Sequence, residues 1–153
     1  MSKGVNMPTV EQILLARGSD VPTISPDATV YQALSVMAEK DYGALPVVDR
    51  EGHICGMVSE RDYSRKVILH GLASKNTPVS QIMSSDVFVA TPELTLHQCM
   101  SLMTERGVRH LPVVRQEKLI GMISILQVVR AIIEDQRSEI ERLEEHLYGG
   151  TRD

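Results

Sequence analysis

Val108-Arg109-His110-Leu111-Pro112-Val113-Val114 restates Tyr42-Gly43-Ala44-Leu45-Pro46-Val47-Val48 at a distance of 66 residues. Just downstream, Ile54-Cys55-Gly56-Met57-Val58-Ser59 returns as Leu119-Ile120-Gly121-Met122-Ile123-Ser124, 65 residues on. Short motifs kept in order, with one residue of slip in the turn between them, mark a duplicated supersecondary unit. In each copy the apolar runs predict two strands, Ala44–Val48 with Ile54–Val58 and Leu111–Val114 with Leu119–Ile123. The polar segments Asp49–His53 and Arg115–Lys118 read as the turns between them.

Upstream of each pair lies a helix start of the form T-x-x-Q, Thr29-Val30-Tyr31-Gln32 and Thr95-Leu96-His97-Gln98. There a Thr hydroxyl and a Gln side chain can satisfy each other's backbone N–H groups. Apolar residues then recur at helical spacing: Val30, Ala33, Leu34 and Met37 in one copy, Leu96, Cys99, Met100 and Met103 in the other. Before each helix a short β-like run ends in proline, Thr23–Pro26 and Val89–Pro92. A second helix is expected after Ser59 and after Ser124. The expectation is an α/β (α+β) fold, β-α-β-β-α used twice with pseudo-two-fold symmetry.

The divisions expected are an N-terminal helical arm (1–20), a first copy (21–72), a connector (73–86), a second copy (87–130) and a C-terminal helix and tail (131–153). In the arm, Val10, Ile13 and Leu14 share one side of a short helix, with Gly18 as its stop. In the tail, Ile133, Ile140, Leu143 and Leu147 fall near coiled-coil spacing, interrupted by Gln136. Packing on the protein's own core and packing on a partner subunit are both open there.

Composition narrows the function. For a chain of 153 residues, a net charge of −4 argues against wholesale polyanion binding, which demands a concentrated basic face. With no Trp, one Phe and four Tyr it has little surface on which bases could stack. No stretch approaches the ~20 apolar residues of a membrane span, and the N-terminus has no signal-peptide pattern. Cys55 and Cys99 lack zinc-type spacing and sit in apolar patterns, as buried reduced thiols of a cytoplasmic protein would. His53, His70, His97 and His146 carry no recognisable ligand pattern and are expected at the surface. There is no Walker loop, nucleophile elbow or metal-ligand cluster, and no catalytic cofactor is expected.

Two tandem copies carrying LPVV and then G-M-[VI]-S before a helix resemble the cystathionine-β-synthase (CBS) domain pair, over roughly Val21 to Arg130. The leading Val10-Glu11-Gln12-Ile13-Leu14 and the run Ser59–Leu69 are similar to those of stand-alone bacterial CBS-pair signal-transduction proteins. The resemblance implies a non-catalytic homodimeric module that binds adenosine-containing ligands (AMP, ADP, ATP or NAD-type) in clefts between the copies and signals to a partner protein. A structural or dimerisation module, with S-adenosylmethionine or no ligand, is the alternative.

The family's ribose recognition uses [ST]-x-x-D at the start of the second helix, here Ser59-Glu60-Arg61-Asp62. A carboxylate can accept both hydroxyls of one ribose. The same spacing is also a helix cap, and Ser124-Ile125-Leu126-Gln127 satisfies that pattern without the acid, so ribose and cap readings of Asp62 both stand. In the family pattern the loop before LPVV of the other copy supplies phosphate contacts, here Val108-Arg109-His110. Arg61 and Lys66 could add positive charge, and the adenine would lie against Val87 and Phe88 with Met57 on its wall. The second cleft would be a weaker site. Gln127 and Ser124 stand at the ribose end there, Gly43 and Ala44 at the phosphate end, and Thr23 lies nearby.

Overall fold

The computed structural model describes residues 7–17 and 20–148. The proposed glycine stop of the arm, Gly18, lies outside the described residues. In chain order the elements are α1 (Val10–Arg17), α2 (Val30–Lys40), β1 (Ala44–Val48), β2 (Ile54–Ser59) and α3 (Glu60–Asp62), which widens into a π-helix over Tyr63–Ile68. There follow α4 (Val79–Ile82), α5 (Leu96–Arg106), β3 (His110–Arg115), β4 (Lys118–Ser124) and α6 (Ile125–Tyr148).

Both T-x-x-Q sites are capping boxes. Thr29 Oγ1 accepts from Gln32 N at 3.1 Å while Thr29 N donates to Gln32 Oε1 at 2.9 Å. Thr95 and Gln98 repeat the exchange at 3.1 and 3.0 Å. Each cap contributes about 1 kcal/mol and fixes where its helix begins. The helices end alike but with different chemistry: the left-handed C-cap residue is Asp41 after α2 (φ 59) and Gly107 after α5 (φ 66).

The strands form two antiparallel hairpins, β1 with β2 and β3 with β4. In the first, Ala44 pairs with Ser59 and Pro46 with Met57, and a bulge falls between Val47 and Val48. The β-like run Thr23–Pro26 contributes only one parallel bridge, Ile24 to Val47, because Pro26 has no N–H with which to extend it. The far edge of β2 is covered by the chain after α4, where Met57 and Ser84 exchange backbone hydrogen bonds of 2.9 and 2.8 Å. That approach requires glycine at position 56. A Cβ there would lie 2.6 Å from Met83 Sδ and 3.0 Å from the Ser84 carbonyl.

The chain divides into two units that do not follow the order of the copies. Of the described residues, one comprises 7–17, 90–111 and 123–148; the other comprises 20–89 and 112–122. The helix preceding each copy packs within the unit that holds most of the other. In the first unit Leu96 N donates to Pro8 O, Val10 N to Leu94 O and Glu11 N to Pro92 O. In the second, Val30 N donates to Thr77 O, Val79 N to Ala28 O and Ser80 N to Pro26 O. The correspondence aligns Val10-Glu11-Gln12-Ile13-Leu14 with Val79-Ser80-Gln81-Ile82-Met83, a repeat 69 residues apart. Segment 73–86, expected as a connector, thus carries a core helix: Thr77, Val79 and Ile82 are buried.

Each unit is held by aliphatic burial. The unit of residues 19–89 centres on Val30, Ala33, Met37, Leu45, Val47, Val58, Val67, Val79 and Ile82. In the other, Val10, Leu96, Cys99, Met103, Leu111, Ile123 and Val128 are buried. Fully burying one such side chain contributes about 1.5–3 kcal/mol. Cys99 is enclosed in this core, and burial pushes its thiol up to about 11. Cys55 is half-buried, donates to the Val47 carbonyl at 3.3 Å and is also raised by burial.

Candidate functional site

Asp62 sits at the start of the second helix of copy one and completes a cap. Ser59 N and Ser59 Oγ both donate to its Oδ2, at 2.9 and 3.0 Å, while Asp62 N donates back to Ser59 Oγ at 3.1 Å. Lys66 closes on the other oxygen, Oδ1, at 3.1 Å, and also donates to the Ile82 carbonyl at 2.9 Å. A carboxylate offers about four lone-pair sites, so three such contacts leave roughly one. A ribose diol that used both oxygens would have to displace Ser59 Oγ or Lys66. Immediately beyond Asp62 the helix widens into the π-form, a geometry found frequently at functional sites.

The neighbouring residues of this unit are placed by the hairpin and its covered edge. Met57 is half-buried on β2, and the chain leaving Ser84 reaches Val87 and Phe88, both half-buried. Arg61 is exposed. Lys66 is committed to Asp62 and to the end of α4 rather than free in solvent.

Gly43, Ala44 and Thr23 belong to the same unit. Gly43 O accepts from Glu60 N at 3.1 Å, and a Cβ on Gly43 would lie 3.3 Å from Glu60 Oε1. An acid therefore stands behind this loop, a feature that the spacing of motifs did not single out. Ala44 is buried and Thr23 exposed.

In the other unit Arg109 occupies the place that Gly43 has in copy one. Its carbonyl accepts from Ile125 N at 2.9 Å, the counterpart of the Gly43–Glu60 bond, but the first helical residue is now apolar. Val108 is half-buried and Arg109 exposed. His110 opens β3; burial first, and the adjacent Arg109 charge second, push its imidazole below the ordinary value of 6.5. Both effects favour the neutral imidazole, a hydrogen-bonding group, over the cation. Ser124 and Gln127 form the matching cap, with Ser124 N donating to Gln127 Oε1 at 2.8 Å and Gln127 N to Ser124 Oγ at 3.2 Å. Gln127 also lines an open groove of about 570 Å³ with Gln12, Ile13, Leu96 and Arg130.

The residues expected for the stronger cleft thus divide between the units, Ser59, Arg61, Asp62, Lys66, Met57, Val87 and Phe88 in one and Val108, Arg109 and His110 in the other. His53 has closer company than its sequence context suggested. Its Nδ1 lies 3.8 Å from Asp49 Oδ2 and 3.5 Å from Glu51 Oε2, in a turn where one ligand atom from each residue falls within 4.8 Å of the others. Asp49 is already bound there by the Glu51 and His53 backbone N–H groups, and Lys118 donates to the Glu51 carbonyl. These bonds describe a well-knit turn. Among the described residues no helix is long and apolar enough to cross a membrane.

The model of the CBS domain family matches residues 10–68 and again 79–134. The chain belongs to the CBS domain family. Both matches begin at the aligned leading helices, Val10 and Val79, so the CBS repeat includes the element that packs with the other copy. The mitochondrial CBS domain-containing protein CBSX3 of Arabidopsis thaliana is 36% identical over 155 residues, covering 96% of this chain and 75% of that protein. The inosine-5'-monophosphate dehydrogenase of Methanocaldococcus jannaschii is 33% identical over 112 residues, 72% of this chain but 21% of that enzyme. A solved structure of a protein with CBS domains from Burkholderia ambifaria is 47% identical, with a TM-score of 0.79 over 84% of this chain and 96% of that one. CBS pairs of this kind are generally regulatory modules.

Proposed function

We propose that this CBS pair is a non-catalytic, cytoplasmic, homodimeric sensor of an adenosine-containing nucleotide (AMP, ADP, ATP or an NAD-type dinucleotide) that signals to a separate partner protein. Asp62 accepts the ribose hydroxyls, and Arg109 with His110 takes the phosphate. The observation that carries the reading is the charge contrast between two loops of identical backbone role. Arg109 stands where copy one has Gly43 backed by Glu60. Planar guanidinium donors suit a phosphate, and a carboxylate repels one. A ligand shifts such a module only by its differential affinity for two states, so signalling requires two arrangements that bind unequally.

Isothermal calorimetry and thermal shift with AMP, ATP, NAD and adenosine test the reading. Binding of the phosphate-bearing ligands is expected, with about 2.7 kcal/mol of stabilisation at one hundred times Kd. Arg109→Ala should weaken those ligands far more than adenosine. No stabilisation by any of the four at millimolar concentration would sink the sensor. A second reading, a structural module with S-adenosylmethionine or no ligand, is favoured by one observation: Ser59 and Lys66 already occupy most of the Asp62 carboxylate. Stabilisation by S-adenosylmethionine alone, or by nothing, would select it.

A further inference from the structure

The two oxygens of the Asp62 carboxylate are not equally engaged. Oδ2 takes two donors, Ser59 N and Ser59 Oγ, at 2.9 and 3.0 Å, while Oδ1 takes Lys66 Nζ at 3.1 Å. With about two lone-pair sites on each oxygen, Oδ2 is full and Oδ1 keeps one site. A single hydroxyl can be accepted there without disturbing anything. The second hydroxyl of a diol must replace a donor already in place.

The donors differ in what their release costs. Ser59 Oγ also accepts from Asp62 N at 3.1 Å, and Ser59 N belongs to the same capping box, so displacing either one breaks the helix start. Lys66 is the cheaper to move. Its side chain is 45% exposed, so water can solvate the released ammonium, and its bond to the Ile82 carbonyl at 2.9 Å does not depend on Asp62. The cap does not need it either. Ser124 and Gln127 make the same cap in copy two, where Ala131 stands in place of Lys66.

We infer that Lys66 is a specificity-determining residue of this site. It holds the acceptor position on Asp62 for which a ribose diol must compete, and so sets how far the site separates ribose from 2′-deoxyribose. The inference rests on the reading of Asp62 as ribose acceptor. A ligand with both hydroxyls gains a second charge-assisted hydrogen bond but forfeits a half-exposed ion pair. A ligand with one hydroxyl uses the remaining site and leaves Lys66 on Oδ1. The gain from the second hydroxyl is thereby offset, and the protein discriminates weakly.

Calorimetric titration of the full chain and of Lys66→Met with AMP and with 2′-deoxy-AMP tests this. Met keeps the aliphatic stem, so the thermal transition should persist. AMP should bind Lys66→Met about three- to fivefold more tightly than the parent, the scale of a half-exposed ion pair, with 2′-deoxy-AMP little changed. Loss of a merely structural contact would not tighten a ligand. Lys66→Arg, which keeps a cation beside Asp62, should show the parental preference or a smaller one. Equal tightening of both nucleotides overturns the inference, because Lys66 then acts through its charge and not through the position it holds. Equal weakening makes Lys66 a phosphate contact and overturns it too, as does an unchanged preference. If neither nucleotide binds the parent or either variant, the reading of Asp62 as ribose acceptor falls together with the inference.

Discussion

The second helices of the two copies start with the same cap and then part company. Ser59 with Asp62 and Ser124 with Gln127 make the same pair of reciprocal contacts, so capping accounts for both serines and for a polar acceptor three residues later. It does not account for the charge on Asp62 or for Lys66 beside it. Beyond the caps, copy one widens into a six-residue π-helix, whereas copy two runs 24 residues as α6. Two helix starts with one local solution can therefore serve different ends, one at a candidate ligand carboxylate and one in a long exposed arm. The lesson is to subtract what the shared scaffold requires before assigning function to what remains.

Four measurements sharpen or break that comparison. The largest effects should fall on the shared scaffold and be equal in the two copies. Leu45→Ala and Leu111→Ala each empty a fully buried site and should each cost about 2–5 kcal/mol in denaturant unfolding. A much smaller cost in one copy would show that the duplicated core is not energetically duplicated. Next come the caps. Asp62→Asn and Gln127→Ala should each cost the unliganded protein about 1 kcal/mol, because each weakens one cap. Only Asp62→Asn should also remove stabilisation by AMP or ATP. If it binds as well as the parent, Asp62 is a capping residue and nothing more.

The third contrast sets His110 against Ala44, its counterpart. Burial lowers the His110 pKa, so the unfolded chain binds the proton more readily than the native one. Its stabilising contribution is whole above pH 6.5 and is lost as the pH falls through the lowered native value. Melting temperature should accordingly decline on acidification below pH 6.5, and His110→Ala should flatten part of that decline. An unchanged slope would mean that His110 is not desolvated. The smallest effect concerns the C-caps: Asp41→Gly should stabilise by about 0.5–1 kcal/mol, by removing a non-glycine αL residue and an acid from a helix C-terminus. No gain in melting temperature would show that the Asp41 side chain compensates for both costs.

The parts of the fold legible from the chain were those set by contacts a few residues apart. T-x-x-Q gave the starts of α2 and α5, LPVV and G-M-[VI]-S gave the two hairpins, and repetition of all three gave the duplicated unit. The β-like run Thr23–Pro26 amounts to a single bridge at Ile24, since Pro26 cannot donate the next hydrogen bond. The leading-helix repeat is faint in the sequence because only Val, Gln and Ile are shared between Val10–Leu14 and Val79–Met83. At the candidate site, Asp62, Arg109 and His110 stood out as differences between aligned motifs. Glu60 did not, because its importance lies in its approach to Gly43, seventeen residues away.

Caps, turns and strand alternation are short-range physics, and the amino-acid order specifies them wherever the segment is placed. Which unit receives α1 and α4, what closes on the Asp62 carboxylate, and which face of α6 is left uncovered are questions of non-local packing. There a backbone bond such as Val79 N to Ala28 O, or the reach of Lys66 to Ile82 O, joins residues that no local pattern relates. Two copies sharing only a few short motifs were thus enough to dictate one scaffold twice. Only the tertiary arrangement set an acid behind one loop, left an arginine exposed in the other, and turned the apolar stripe of α6 outward.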